Sequence, residues 1–349
     1  MIRFNPQTVE MIKRFKRIRR GYYSFLLLTV LIIISLSAEL IVNSRALVVR
    51  YNGRYYFPTY GAIIPGEKLG LEYEYETDYR DLKEKFENEP GDNFVILPPI
   101  PYNPLETELK EGQYPPLSPS FSDRHFLGTD KTGRDVASRL IYGFRISIFF
   151  SLILLFFNYL IGVTAGCLMG YIGGKFDLFA QRIVEIWNNI PALYAIIIIS
   201  SILIPNFFSL LGIMIFYGWI GITWYMRTAT YKEREREYVL AARALGAGTP
   251  RIIISHILPN TLSVIITFIP FSVAEGITSL TALDYLGFGL PAPTPSWGEL
   301  LAEASEYNIN APWIGISVIA SMIAILMMVT FIGEAVRESF DPKLYTTYE

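Results

Sequence analysis

Six apolar stretches dominate this 349-residue sequence, and each is long enough to cross a lipid bilayer. A helix needs about 20 consecutive apolar residues to span the hydrocarbon core. The stretches cover residues 22–42, 147–171, 183–204, 207–226, 258–283 and 312–332. Hydrophobic residues make up 52% of the chain and charged residues 18%, which is too apolar for a soluble protein of this length. The sequence therefore predicts an all-α membrane protein with six transmembrane helices.

Composition and motifs also exclude several classes of function. The near-neutral balance of 30 basic and 32 acidic residues gives no indication of nucleic-acid binding, for which a basic surface would be expected. Cys167 is the only cysteine, so no disulfide forms within the chain, and His125 and His256 lack the ligand-spaced neighbours that would suggest a metal site. No Gly-x-x-x-x-Gly-Lys-Ser/Thr phosphate loop occurs, so we expect no ATP hydrolysis, no catalytic residue and no bound cofactor in this chain.

The distribution of Lys and Arg predicts the orientation of the chain, because the cytoplasmic flanks of transmembrane helices are enriched in these residues. Residues 1–21 form a strongly basic leader, whereas residues 284–311 contain no Lys or Arg. We therefore expect a cytoplasmic leader, an extracytoplasmic segment over residues 44–145 and a cytoplasmic tail over residues 336–349. A cleaved signal peptide is the alternative for residues 22–42, but the apolar run continues past the small residues at which cleavage would occur.

The stretch EYVLAARALGAGTPRIIISHILPN, residues 237–260, is expected on the cytoplasmic side. Its alanines and leucines favour a short helix, and Gly246 and Gly248 are expected to end it. Thr249 followed by Pro250 is typical of an N-cap and the first position of a second helix. The Ala side chains leave a low surface against which another helix or a protein groove can pack. The alternative is a plain connection in which the alanines only support helicity.

The spacing within this stretch resembles the loop signature of ABC importer permeases, in which a coupling helix docks into a groove of a separate ATPase subunit. Five residues match the signature in order, namely Ala241, Ala242, Gly246, Leu258 and Pro259. The family usually has Glu where this chain has Leu240, and Glu237, one turn earlier, is a candidate substitute. The resemblance implies a coupling helix at about residues 235–256 that also includes Arg243.

Four further stretches resemble the peptide-importer branch of this family, of the oligopeptide and dipeptide permease C-component type. They are HFLGTDKTGRDVASRLIYGFRIS, GYIGGKFD, LDYLGFGLPAPTPSWGELL and GEAVRESFDPKL, and they occur in this order from residue 125 onward. The long segment before them is most similar to the subgroup that includes the microcin C and peptide permeases of Gram-negative inner membranes. Whether the solute is a peptide, nickel or an opine stays open.

This resemblance implies the type I ABC importer permease fold, with the transmembrane domain over residues 146–335. It also implies a multi-pass protein of the bacterial cytoplasmic membrane with both termini in the cytoplasm. The expected partners are a second homologous permease subunit, two ABC ATPase subunits that bind ATP and Mg, and an extracytoplasmic solute-binding protein. The main rival is an ion-gradient-driven secondary transporter, which would be expected to have paired intramembrane charges and an internal repeat. A membrane-anchored receptor is the second rival.

The stretch LGTDKTGRD, residues 127–135, contains the four letters with which the phosphorylation loop of aspartyl-phosphate ion pumps begins. We expect no phosphorylation here, because the stretch is expected on the outer side and Arg134 replaces the hydroxyl residue of the pump loop. Instead, it predicts an interfacial helix at the outer mouth, capped by Thr129 or Asp130, with Arg134 paired to an acidic neighbour or a lipid phosphate. The candidate residues of this motif are Leu127, Gly128, Thr129, Asp130, Gly133, Arg134 and Asp135.

Two features inside the apolar stretches point to packing and transport. Glu275 lies in the middle of the fifth stretch and is a candidate for the translocation path, because an intramembrane carboxylate usually faces a cavity or a partner. A protonated or hydrogen-bonded structural acid is the alternative. Gly162, Gly166 and Gly170 recur every fourth residue and predict a close seam with another helix of the same chain, with a contact to a partner permease as the alternative.

Two further signals concern the backbone. Pro191 and Pro270 remove helical hydrogen bonds in the third and fifth stretches and predict kinks there. Asn52-Gly53 lies between two β-prone runs, LVVRY and RYYF, and predicts a tight hairpin. The segment over residues 44–145 is therefore expected to contain a small subdomain.

Overall fold

The computed structural model describes residues 6–89, 91–109, 112, 114–202 and 205–340. Its helices in chain order are α1 (Pro6–Arg17), α2 (Arg19–Leu36), α3 (Ala38–Ile41), α4 (Tyr79–Asn88), α5 (Val136–Ile172), α6 (Gly174–Asn188), α7 (Ala192–Ile202), α8 (Phe207–Gly218), α9 (Ile220–Arg234), α10 (Glu237–Ala244), α11 (Thr249–Ile252), α12 (Leu258–Tyr285), α13 (Trp297–Tyr307) and α14 (Pro312–Phe340). The other elements are strands β1 (Val48–Tyr51), β2 (Arg54–Tyr56) and β3 (Phe94–Ile96), a 3-10 turn (Gly66–Leu69) and a π-helical turn (Ile253–Ile257). The first five residues of the expected leader and residues 341–349 of the expected tail lie outside the described residues.

The long helices account for the apolar stretches of the sequence. Five described helical spans are long and apolar enough to cross a membrane, namely Arg19–Leu36, Val136–Ile172, Phe207–Arg234, Thr249–Tyr285 and Pro312–Phe340. α6 and α7 pass the same test together, although they are bent by 62° at their junction, and they make a sixth span if they are counted as one. The expected all-α membrane architecture is confirmed.

The third span differs from the continuous helix expected over residues 183–204. α6 begins well before that apolar stretch and ends at Asn188, and α7 resumes directly after Pro191. The proline lacks the N–H and leaves no room for the carbonyl that a regular helix needs at this point, so the predicted kink is a break between two helices. Pro270, by contrast, lies inside α12, which continues as a helix through it. The expected end of the third span at Ile204 lies outside the described residues.

The glycines of α5 form the predicted seam within the chain, and the partner helix is α9. A Cβ atom at each glycine would lie within 2.6 Å of a backbone oxygen of α9 or of the residue before it. The glycine and oxygen pairs are Gly162 with Trp219, Gly166 with Thr223, and Gly170 with Arg227. The two backbones therefore approach more closely than any side chain would allow, which confirms an intramolecular seam.

The main apolar core lies where α5, α12, α13 and α14 meet. Its fully buried members include Val136 at the start of α5, Ile277 in α12 and Ile314 in α14. Trp297, the first residue of α13, is buried in the same cluster, and its indole Nε1 donates a hydrogen bond of 3.0 Å to the carbonyl oxygen of Leu140. The short helix α13 is thereby held against the first turns of α5.

A small unit with a core of its own is inserted between α3 and α5. Its three-stranded antiparallel sheet has the order β2-β1-β3. Asn52 and Gly53 join β1 to β2 with φ values of 49° and 77°, so the predicted hairpin is confirmed. α4 packs on this sheet through Tyr79, Leu82 and Phe86. The sequence signal for a hairpin was local, whereas the helix that covers it was not predicted.

Candidate functional sites

The α10 segment, residues 237–260, is a short helix, a tight turn and the start of the next long helix. Gly246 follows α10 in a left-handed conformation, with a φ of 83°. Its N–H donates to the carbonyl of Arg243, and the N–H of Ala247 donates to the carbonyl of Ala242, both at 3.0 Å. This pair of bonds is the Schellman arrangement, which satisfies the last carbonyls of a helix and favours glycine. The expected role of Gly246 as the end of the helix is confirmed.

The start of the second helix is displaced by one residue from the prediction. Thr249 is the first helical residue of α11 instead of its N-cap, and Pro250 follows it at the second position. Gly248 occupies the N-cap position and has no side chain that could accept a hydrogen bond. The π-helical turn then leads into α12, where Pro259 lies in the first turn and is exposed.

The two alanines of the α10 segment have different environments. Ala242 is buried with Val239 against Tyr171 on the bundle side, whereas Ala241 is exposed. Leu245 is 89% exposed, and it is the most exposed large apolar side chain of the segment. The sequence predicts one surface for the alanine pair, and Leu245 is not among the residues expected to take part in coupling.

Three further expected coupling residues, Glu237, Arg243 and Leu258, and the departure from the family signature at Leu240 have different environments. Leu240 and Glu237 are exposed, and the guanidinium of Arg243 lies 5.3 Å from the centre of the Tyr171 ring. Leu258, the first residue of α12, is half-buried and packs against a cluster of Cys167 of α5 with Ile222 and Met226 of α9. The segment thus presents an apolar edge outward while its inner face is fixed to the bundle.

The 127–135 loop precedes α5 and does not form the expected interfacial helix. Asp135 is the N-cap of α5, since its carboxylate accepts a hydrogen bond of 2.7 Å from the N–H of Ser138. Asp130 instead accepts bonds within the loop, from the N–H groups of Thr132 at 2.8 Å and Arg134 at 3.0 Å. Gly133 has a φ of 86°, which no right-handed helix contains. The prediction that Thr129 or Asp130 caps a helix here was wrong.

Thr129, Leu127 and Gly128 of this motif pack and bond locally. Thr129 accepts a hydrogen bond of 2.8 Å from the N–H of Leu117 through its side-chain oxygen, and its carbonyl accepts one of 3.2 Å from the indole of Trp313. Leu127 packs against the main core, and Gly128 has a φ of 73°. The loop is therefore part of the folded body of the protein.

Arg134 is paired with acidic residues, as predicted, but within a buried cluster that sequence reasoning did not foresee. Its Nε lies 2.6 Å from an oxygen of Asp130, and its Nη2 lies 3.2 Å from both Glu299 and Glu303 of α13. Arg139, which is fully buried in the first turn of α5, contacts Asp130 and Glu299. This five-residue group, the buried ion cluster, joins the 127–135 loop and α5 to α13.

The buried ion cluster contains three carboxylates and two guanidinium groups, so it carries one excess negative charge if all five are ionised. Burial and the neighbouring charge of Asp130 raise the pKa of Glu303 to about 7. The only sequence signal for this site was the unusual density of charge next to apolar helix ends. The pairing itself connects residues more than 160 positions apart.

His125 was treated as an ordinary residue in the sequence, yet it lies between two carboxylates. Its Nδ1 is 2.8 Å from Asp135 and its Nε2 is 2.8 Å from Glu108, while its ring stacks on Tyr102 with centroids 3.9 Å apart. Burial alone lowers the pKa of His125, but the hydrogen bonds and negative charges of the two carboxylates outweigh it and raise the pKa to about 9. The cationic imidazolium therefore links the inserted unit to the cap of α5.

Glu275 lines a cavity of about 430 Å³ within the helical bundle. The cavity is bounded by α5, the end of α6, α8, α9 and α12. Its polar lining consists of Asn158, Tyr159, Asn188, Tyr217, Tyr225, Ser272, Glu275 and Ser279. The Glu275 side chain is exposed to this space, and the Tyr159 and Ser272 hydroxyls are hydrogen-bonded to each other at 2.9 Å. An acidic side chain thus faces an open space within the apolar spans.

A known family model matches the C-terminal half of the chain. Residues 162–345 match the binding-protein-dependent transport system inner membrane component. This chain belongs to that family. It is therefore a membrane-embedded component of a binding-protein-dependent transport system, and neither the ion-gradient-driven transporter nor the anchored receptor gains support.

Sequence similarity to two known permease proteins extends over almost the whole chain. The inner membrane ABC transporter permease protein YejE of Escherichia coli (strain K12) is 41% identical over 98% of this chain and 99% of its own length. The peptidoglycan transport system permease protein YejE of Agrobacterium fabrum is 39% identical over 97% of this chain and 94% of its own length. The dipeptide transport system permease protein DppC of Bacillus subtilis is 32% identical over 70% of this chain and 75% of its own length.

Some of the candidate sites lie within the residues that the family model matches, and others precede them. The α10 segment, the glycine seam from Gly162 onward and Glu275 lie within the matched residues. The 127–135 loop and the inserted unit precede the match, and the two relatives that align over almost the whole chain extend across them.

Proposed function

We propose that this chain is the transmembrane permease subunit of an ATP-driven ABC importer for peptides or peptide-like solutes. The family match and the functions of the relatives, which include dipeptide and peptidoglycan transport, support the solute class. The observation that carries the proposal is the α10 segment, which presents Leu245 outward while its other face is anchored in the bundle. An exposed apolar side chain on a short helix is suited to insertion into a groove of another protein.

The proposed assembly contains a second homologous permease, two ABC ATPase subunits and an extracytoplasmic solute-binding protein. ATP and Mg are bound and ATP is hydrolysed on the ATPase subunits, since this chain has no phosphate loop. The basic leader and the basic flanks of the α10 segment support a cytoplasmic position for both termini and α10, because Lys and Arg are enriched on the cytoplasmic side of membrane proteins. The inserted unit and the 127–135 loop then lie on the outer side, where a binding protein docks.

The path from α10 to the cavity runs through helices that are fixed to one another. α10 follows α9 after two residues, and α9 is joined to α5 along the glycine seam. Arg227 of α9 also holds Asp177 of α6 with two contacts of 2.6 Å. Tyr225 of the same helix lines the cavity beside Glu275. A displacement of α10 by the ATPases therefore moves the cavity wall, which gives the differential contacts that alternating access requires.

The test is affinity purification of the chain from its native membrane, with mass spectrometry of the proteins that accompany it. We expect two ABC ATPases and a second permease with the parent chain. Leu245→Asp should lose the ATPases and keep the second permease, because a charge then replaces the exposed apolar side chain. Its thermal unfolding should be unchanged, since Leu245 makes little contact within the chain.

The matched control is Ile309→Asp, at an apolar residue that is 91% exposed near the end of α13 and is expected on the other side of the membrane. This variant should retain the ATPases. If the parent chain is recovered without ATPases, the importer proposal fails. If Leu245→Asp retains them as well as the control does, α10 is not the coupling site.

A further inference from the structure

The cavity beside Glu275 is lined by an acidic side chain without a basic side chain to balance it. One carboxylate lines it, and no Lys, Arg or His occurs among the described residues of its wall. Within the part of the chain that the structure describes, the Glu275 carboxylate makes no hydrogen bond and no ion pair. An acid within apolar spans is costly unless a cation or several donors compensate it. The cavity wall is therefore complementary to a positive charge.

Other groups of the same wall also favour a ligand that donates hydrogen bonds. The wall also contains the hydroxyl groups of Tyr217 and Ser279. A hydroxyl oxygen can accept a hydrogen bond from a ligand. Ring faces are also present, since Tyr225 and Phe268 line the cavity with centroids 4.1 Å apart. Aromatic faces attract cations.

We propose that this cavity binds an ammonium or guanidinium group of the transported solute, with Glu275 as its counter-ion. The inference rests on the proposed transport function and specifies the chemistry of the cargo. A cavity of about 430 Å³ can hold at most a few amino-acid residues of a peptide. The site is therefore one subsite on the translocation path and does not enclose a long peptide. It selects for cations and against anions.

The first test measures the charge preference of the cavity without any need for transport. Ser279→Cys places a thiol one helical turn from Glu275 on the same wall. The chain, in native membranes, is treated with the cationic 2-aminoethyl methanethiosulfonate and with the anionic 2-sulfonatoethyl reagent, and the two labelling rates are compared. Glu275→Gln in the same background should lower the ratio of the cationic rate to the anionic rate by about tenfold, even if water fills the cavity.

Two controls make this comparison specific. A thiol at Ile309→Cys, far from the cavity and 91% exposed, should show the same rate ratio with and without Glu275→Gln. Labelling of the native Cys167, which is buried, is measured in the unsubstituted chain and subtracted. An unchanged ratio at Ser279→Cys would overturn the proposal, because the carboxylate would then have no influence on ions in the cavity. Loss of the second permease from the purified complex on Glu275→Gln would also overturn it, since Glu275 would then pair with the partner subunit.

The second test identifies the source of the cation. Uptake of labelled trialanine and trilysine is measured in cells that carry the parent or the Glu275→Gln chain, and each variant rate is divided by the parent rate for the same peptide. An equal reduction in the relative uptake of both peptides indicates that the cavity binds the N-terminal ammonium group. A larger reduction for trilysine indicates that it binds the ammonium group of a lysine side chain. Unchanged uptake of both would contradict the proposal while leaving the co-purification test of the importer assembly intact.

Discussion

Arg139 is fully buried and lies against Asp130 and Glu299, so its charge has no access to water as a substitute partner. Arg139→Met should destabilise the folded chain by roughly 3–5 kcal/mol, because it leaves buried carboxylates without one of their two cations. The measurement is thermal or denaturant unfolding of the purified chain in detergent. The control Arg182→Met breaks the exposed pair with Glu185 and should change stability by less than about 1 kcal/mol. Equal effects of both changes would mean that the cluster is hydrated.

The raised pKa of His125 predicts that the free energy of unfolding of the chain falls at alkaline pH. Its pKa is raised in the folded chain to about 9 from an ordinary value of 6.5, so its contribution is complete below pH 6.5 and is lost as the pH rises to about 9. The full contribution of His125 to the free energy of unfolding is on the order of 3 kcal/mol. Unfolding should be followed between pH 7.5 and 9.5, because the raised pKa of Glu303, at about 7, makes its own contribution below that window.

The variant that checks this prediction is His125→Gln. It keeps a polar group between Asp135 and Glu108 but cannot carry a proton in this range, so the decline in stability above pH 7.5 should disappear. A decline that persists with the same slope in His125→Gln would assign the effect to another group.

Residue types in the sequence pointed correctly to some of these side chains and not to others. The position of Arg134 before an apolar stretch left two kinds of partner open, an acidic neighbour or a lipid phosphate, and the structure shows acidic partners. Which acids pair with it depends on α13, which follows in the chain only after four further spans. His125 carried no signal at all, because its two carboxylates come from separate parts of the chain.

At the scale of helices, the glycine seam between α5 and α9 predicts a sharp difference between two glycine substitutions. A Cβ atom at Gly166 would lie 2.6 Å from the carbonyl oxygen of Thr223 and 2.8 Å from the Cβ of Met226. Gly166→Ala should therefore destabilise the bundle by about 1–3 kcal/mol, as overpacking does. Gly212→Ala in α8 meets nothing within 4 Å and should be neutral or stabilising by up to about 1 kcal/mol. Unfolding in detergent measures both, and a harmless Gly166→Ala would show that the seam opens easily.

Element identity was more predictable than element ends. Long apolar stretches, the Asn52-Gly53 hairpin and the glycine that ends α10 were read correctly because each depends on residues close together in the chain. The helix expected within residues 127–135 failed because Asp130 bonds to its own loop and Gly133 adopts a positive φ. Side chains that can cap a helix can equally close a turn, and the sequence does not decide between these.

For the whole molecule, the separate core of the inserted unit predicts that it can be removed without loss of the membrane bundle. Val48 and Ile96 are paired neighbours on β1 and β3, so a short Gly-Ser linker can replace residues 49–95. The shortened chain should still co-purify with the ABC ATPases, because α10 and the helices against which it packs lie outside residues 49–95. Loss of the ATPases would show that the inserted unit stabilises the bundle.

The sequence by itself determined the properties that depend on local composition and backbone freedom. These are the apolar spans, the glycine seam, a departure from regular helix at Pro191 and the family signature of the α10 segment. Tertiary structure alone decided which alanine of α10 is exposed, which acids meet Arg134 and Arg139, and that Glu275 faces a cavity. The reason is physical: burial and ion pairing depend on which distant helices approach one another, and rotation of a helix about its axis by one residue position, about 100°, turns a side chain toward a different neighbour.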